Sequence, residues 1–313
     1  MTRRLPASAI HPQLRRAFRF IPNPPVPRRW LLRLMQAGTG RVRSPRVPAG
    51  LTHRFVPLGD GAGVHVFVPT TPGTRPALLW IHGGGMVMGA ASQDHSRCMD
   101  LAREQDLVVF SAEYRLAPRH PYPAALDDCR TAWGWVVEHA DELGVDVSRL
   151  AVGGQSAGGG LAAGLVLRLH DEGGVQPAAQ WLFCPMLDDR TAANRDLDAV
   201  RHKVWNNLSN RAGWSAYLGG EPGGPDVRAY ASPARRDDLS GLPPAWIGTG
   251  DIELFHDENR DYADRLTSAG VPCELVVVAG APHAFESILG RTQVARDYRT
   301  RAECWLMERL SDG

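Results

Sequence analysis

The sequence predicts an α/β fold with a mostly parallel central sheet, and three observations carry that prediction. Short apolar, strand-like runs alternate with helical candidates through most of the chain, a rhythm that requires crossover connections. A small-residue pentapeptide, Gly154-Gln155-Ser156-Ala157-Gly158, sits where one strand-like run gives way to a helix-like stretch. A glycine loop, His82-Gly83-Gly84-Gly85, closes another strand-like run. A chain of 313 residues buries roughly three quarters of its unfolded surface, which suits one large domain with insertions.

The first fifty residues read as an arm. Helical candidates at 14–20 and 29–36 are divided by the breaker Pro22-Asn23-Pro24-Pro25-Val26-Pro27. Their apolar residues, Leu14, Phe18, Leu31, Leu34 and Met35, are expected to fold onto the body rather than face a membrane, because no lipidation signal accompanies them. Strand-like runs follow at 54–58, 64–68, 77–81, 108–112, 150–153, 180–183, 245–248 and 274–278. The first two form a hairpin through Gly59-Asp60-Gly61-Ala62-Gly63. Later runs alternate with helical candidates at 124–139, 157–171, 257–269 and 292–310. Between Leu187 and Pro233 no strand is legible, and so long an interval is expected to be a functional lid or insertion.

Composition narrows the partners. Lys and Arg number 35 against 34 Asp and Glu, a formal charge of +1, which argues against nucleic acid or an acidic polymer. Lys203 is the one lysine, so the arginines read as compositional bias rather than a phosphate-binding design. Cys98, Cys129, Cys184, Cys273 and Cys304 are odd in number and lack a C-x-x-C pair, a pattern that fits reduced thiols in the cytoplasm. No secretory signal is legible at the N-terminus, and no window approaches the 18 or so consecutive apolar residues of a membrane span. A soluble, cytoplasmic protein is expected.

The chemistry-bearing residues point to acyl transfer. In G-x-S-x-G the flanking residues must be small because the strand-to-helix turn is tight, and the strain exposes the hydroxyl of Ser156 above the sheet. Glycine and serine are common in any loop, so the weight comes from the second signature upstream. In an architecture with such an elbow the partners follow in the order Ser, acid, His. His283, in the loop after the last apolar strand, fits the base. The orienting acid should follow the strand at 245–248, where Asp251, Glu253 and Asp257 stand; Asp257 falls in the following helix, and spacing does not separate the other two. Oxyanion donors are expected from the amides of Ala157, Gly84 and Gly85, with His82 shaping the loop rather than acting as a base. Neither metal nor cofactor is needed for such a reaction.

Two further motifs lie between these, Tyr114-Arg115-Leu116-Ala117-Pro118 and Tyr122-Pro123-Ala124-Ala125. Together the four resemble the hormone-sensitive-lipase-like family of α/β-hydrolase carboxylesterases, over roughly residues 50 to 310. The resemblance implies an α/β-hydrolase fold, a mostly parallel central sheet with helices on both faces and a small helical cap. The cap would comprise an N-terminal arm, residues 1–50, and an insertion at about 188–232 within a catalytic domain at 51–313. The family places its acid five residues before the glutamate of an Asp-Glu pair, here Asp257-Glu258, which selects Glu253 where aspartate is more common. Gln155 also departs from the aspartate often found before the nucleophile.

The implied activity is hydrolysis of short- to medium-chain acyl esters through an acyl-enzyme, and the resemblance is compatible with a homodimer. Rivals are an amidase, lactonase or acetylated-sugar deacetylase on the same triad, and a non-catalytic small-molecule receptor of the same fold. Trp205, Leu208, Trp214 and Tyr217 of the insertion, with Met86 beside the glycine loop, are the candidates for the substrate pocket; the insertion residues serve equally well as glue between cap and sheet.

Overall fold

Parallel pairing at the centre of the sheet follows from strands that are buried on both faces. The computed structural model describes residues 5–18, 20, 21, 23, 24, 26 and 46–311. Strands β1 (Leu51–Gly59) and β2 (Ala62–Pro69) form the expected hairpin, turning through Asp60 and Gly61, both at positive φ. Then come β3 (Arg75–Ile81), β4 (Val108–Glu113), β5 (Val145–Gln155), β6 (Gln180–Phe183), β7 (Ala245–Gly250) and β8 (Cys273–Val278). They join in one sheet in the order β1-β2-β4-β3-β5-β6-β7-β8, antiparallel at β1-β2-β4 and parallel from β4 onward. The outer strand β1 alternates burial and exposure, whereas β6 and β7 are buried at every residue.

The helices α1 (Arg15–Phe18), α2 (His95–Glu104), α3 (Ala124–Glu138), α4 (Ala157–Glu172), α5 (Asn207–Leu218), α6 (His256–Ser268) and α7 (Gln293–Ser311) are accompanied by one-turn helices at Ala140–Leu143, Asp189–Ala193 and Phe285–Ile288. Two cores result, one on each face of the sheet. Leu126 of α3, Leu161 of α4 and Tyr262 of α6 pack into one; Leu101 of α2 and Leu306 of α7 pack into the other. Leu14 and Phe18 of the arm are buried in that second core, so this part of the arm folds onto the body. The candidate helix at 29–36, with Leu31, Leu34 and Met35, lies outside the described residues. Among the described residues no helix is long and apolar enough to cross a membrane.

Strand β4 lies to one side of β3 and β5 to the other, so the strand order reverses between β3 and β5. The crevice at the carboxyl ends of such strands is where open α/β sheets place their ligands. His82 follows β3 and Ser156 follows β5, so the topology delivers both sequence signatures to that crevice.

Candidate active site

Ser156 occupies a strained conformation, φ 57° and ψ −120°, between the last residue of β5 and the first of α4. The turn is held by the Ser156 amide donating to the Phe183 carbonyl at 2.8 Å and by the Gly160 amide donating to the Ser156 carbonyl at 3.0 Å. A β-carbon at Gly158 would overlap the Ile81 carbonyl oxygen, so the close approach of α4 to β3 demands glycine there.

His283 stands between two partners. Its Nε2 lies 2.8 Å from Ser156 Oγ and its Nδ1 lies 2.7 Å from Glu253 Oε2. All three side chains are buried. Glu253 is itself held, because its Oε1 accepts from Thr249 Oγ1 at 2.5 Å and its Oε2 accepts from the Phe255 amide at 3.2 Å. The Phe255 ring meets the imidazole edge-on at 5.2 Å. Asp251 is exposed and turned elsewhere, its Oδ1 accepting from the Gly280 amide at 2.6 Å. Asp257 is exposed in the first turn of α6. Sequence reasoning missed Thr249; its place as the penultimate residue of β7, four before Glu253, was the available signal.

The glycine loop faces the serine. Gly84 has φ 130°, and a β-carbon there would collide with the Met88 carbonyl. Among the described residues the amides of Gly84, Gly85 and Ala157 donate to no protein acceptor. His82 is fully buried beneath the loop. Its Nδ1 lies 2.8 Å from the Gly83 carbonyl, its ring stacks on Tyr114 at 4.2 Å, and the Tyr114 hydroxyl donates to its carbonyl at 2.9 Å. Burial pushes its pKa down to about 4, so the ring is neutral and braces the loop.

Above these groups opens a cavity of about 840 Å³, lined by Ser156, His283 and the glycine loop together with Phe20, Ile21 and Pro24 of the arm, and by Trp205 and Ile288. Of the candidate pocket residues, Trp205 lies on this wall. The other four do not. Met86 turns inward beneath the loop and is 1% exposed, Trp214 is wholly buried in the core, and Tyr217 packs edge-on against Tyr122 at 5.5 Å. Leu208 points to solvent, 55% exposed. The physical reason is that α5 turns Trp214 and Tyr217 toward the core of the sheet, which leaves the arm to supply the apolar wall. The resemblance placed the arm in the cap, but which of its residues line the cavity was not legible, because short apolar stretches between prolines carry no pocket signature.

Comparison with known proteins gives this geometry a context. A family described as α/β hydrolase fold matches residues 78–287. Esterase LipI of Mycobacterium tuberculosis is 34% identical over 82% of this chain and 82% of its own length. Carboxylic ester hydrolase LipN of the same organism is 35% identical over 80% of this chain and 68% of its own. Among solved structures, a bacterial heroin esterase superposes with a TM-score of 0.85 at 36% identity, covering 97% of this chain and 98% of that one. The chain belongs to the α/β-hydrolase fold family. Within that fold it falls in the hormone-sensitive-lipase-like group of carboxylesterases whose motifs its sequence carries.

Proposed function

We propose that this protein is a serine carboxylesterase that hydrolyses short- to medium-chain acyl esters through an acyl-enzyme. The observation that carries the reading is the bridging position of His283, between Ser156 Oγ at 2.8 Å and Glu253 Oε2 at 2.7 Å, on the wall of an apolar cavity. Glu253 accepts a hydrogen bond from His283 Nδ1–H, which keeps that proton on Nδ1 and leaves Nε2 free to take the proton of Ser156 as Oγ attacks the ester carbonyl. The carbonyl oxygen gains charge and is met by the amides of Gly84, Gly85 and Ala157. Collapse of that intermediate expels the alcohol, which takes the proton from His283 Nε2. Water then repeats the sequence on the acyl-Ser156 ester and releases the acid. The five free cysteines support a cytoplasmic setting as part of this reading.

The apolar wall favours uncharged acyl groups, and the resemblance to the hormone-sensitive-lipase-like carboxylesterases implies short to medium chains. A panel of p-nitrophenyl esters from acetate to palmitate tests this. The expected profile peaks between acetate and hexanoate and falls steeply by laurate. Labelling with an organophosphate is expected to add one dialkylphosphoryl group, at Ser156. Turnover that rises toward palmitate would refute the chain-length reading, and absence of labelling at Ser156 would refute the serine mechanism.

A further inference from the structure

We propose that His53, His65 and His95 form a binding site for a transition-metal dication of the zinc class, separate from the candidate active site. His53 on β1 and His65 on β2 are diagonal neighbours across the hairpin, since His53 pairs with Phe67 and Phe55 pairs with His65. His53 Nε2 and His65 Nδ1 are 3.0 Å apart. His95 is the first residue of α2, and its ring meets that of His65 edge-on at 4.3 Å. One ring nitrogen from each of the three lies within 4.8 Å of the other two.

A neutral hydrogen-bonded stack explains only part of this arrangement. It accounts for the His53–His65 contact but leaves His95 with two nitrogens to satisfy. His95 is wholly buried, and neither of its ring nitrogens has a hydrogen-bond partner among the described residues. A buried polar atom without a partner is unfavourable, so both His95 nitrogens are open to a ligand. The separation of His53 Nε2 and His65 Nδ1 is already close to the ~3.3 Å edge of a tetrahedron drawn with zinc–imidazole bonds of about 2.0–2.1 Å. Rotation of the His95 ring would bring in the third donor.

The chemical state of the rings is also suitable. Burial pushes His65 down to about 3, with His95 and His53 adding to the shift, and pushes His95 down to about 4; burial lowers His53 as well. All three are then neutral imidazoles near neutral pH, the form that ligates metal. Three imidazoles without a carboxylate suit zinc, copper, nickel or cobalt rather than magnesium or calcium. Phe67 stacks on the His53 ring at 4.7 Å and supports one wall of the site. His53 and His65 are only half-buried, which leaves a path for an ion and a coordination position for water. Because Gln93 and Asp94 immediately before α2 line the active-site cavity, an ion here would pin that edge of the cavity to the hairpin.

The test uses the full chain, stripped with a chelator and titrated with Zn²⁺ alone and Co²⁺ alone. Expected are one equivalent of Zn²⁺ bound, a rise in Tm on binding, and Co²⁺ absorption bands of nitrogen ligation without thiolate charge-transfer bands. The His53→Gln/His65→Gln double variant should bind Zn²⁺ at least tenfold more weakly, on the order of the loss seen when metal-site partners are removed. Should that variant fail to fold, imidazole NMR of the unaltered chain decides, with His53, His65 and His95 expected to shift together on Zn²⁺ addition. No stoichiometric binding, thiolate bands, undiminished binding by a folded double variant, or shifts confined to other histidines would each overturn the proposal.

Discussion

Gln155 donates from Nε2 to Glu286 Oε1 at 2.5 Å and to Ser287 Oγ at 2.7 Å, and Glu286 is buried. An aspartate in place of Gln155 would face another carboxylate out of water, so the amide is the residue that this neighbour requires. The two candidate acids part at the same scale. Asp251 and Glu253 were inseparable by spacing, yet one bonds a backbone amide at the surface and the other meets His283 in the interior. Glu253→Gln is expected to lower ester turnover by roughly 10⁴, as neutralising the acid of a related triad does, and Asp251→Asn to lose far less. Steady-state kcat of the two variants on one chromogenic ester checks this; equal losses would undo the assignment. Asp94, which accepts from Trp80 Nε1 at 2.8 Å, is pushed up to about 6, by burial first and against the pull of Trp80 and Arg97. The folded form therefore holds this proton more tightly than the unfolded chain. Its stabilising effect is complete below the ordinary carboxylate pKa and is lost as pH rises through about 6. Asp94→Asn is expected to gain Tm relative to the parent as pH goes from 4 to 7, worth about 1 kcal/mol because part of the carboxyl sees the cavity. A Tm difference that stays flat across that range would contradict it.

At the scale of elements, all eight strands were legible because β-branched and aromatic residues cluster in short runs bounded by Gly, Pro and Asp. The helices before and after the elbow were equally readable. Two were not. Helix α5 buries Asn207, Ser209, Asn210 and Gly213 beside Trp214 and Tyr217, so its inner face carries no apolar period to detect. Asn206 caps it by accepting from the Ser209 amide at 2.9 Å, and Gly219 ends it at positive φ; those were the only written signs. Helix α2 does carry a period, since His95, Cys98, Met99 and Ala102 are buried, but a histidine and a cysteine stand where aliphatic residues would signal a helix. The same packing separates the two tryptophans of the insertion. Both are buried in the same core, but Trp205 also borders the cavity and Trp214 does not. Trp205→Ala is expected to change KM and the order of preference among acyl chains as well as lower stability. Trp214→Ala should cost about 3–5 kcal/mol of stability with the order unchanged. Chemical denaturation beside the ester panel separates them, and an identical pattern for both would refute this division of labour.

For the molecule as a whole, function depends on bringing together residues far apart in the chain. Ser156 and His283 are 127 positions apart, and His283 and Glu253 are 30 apart, yet they meet because β5, β7 and β8 are parallel and end at the same edge of the sheet. The glycine loop arrives at that edge from β3, and the arm closes over it from the N-terminus. That convergence rests on the parallel order of the sheet rather than on any one contact. The most direct test of the account is the turnover of a p-nitrophenyl butyrate probe by Ser156→Ala, measured on protein whose circular dichroism and Tm match the parent. The expected kcat is lower by about 10⁶, the loss found where a triad acts as a unit. Retention of more than about a tenth of parental turnover would contradict the central claim, because Ser156 would then not be the group that attacks the ester.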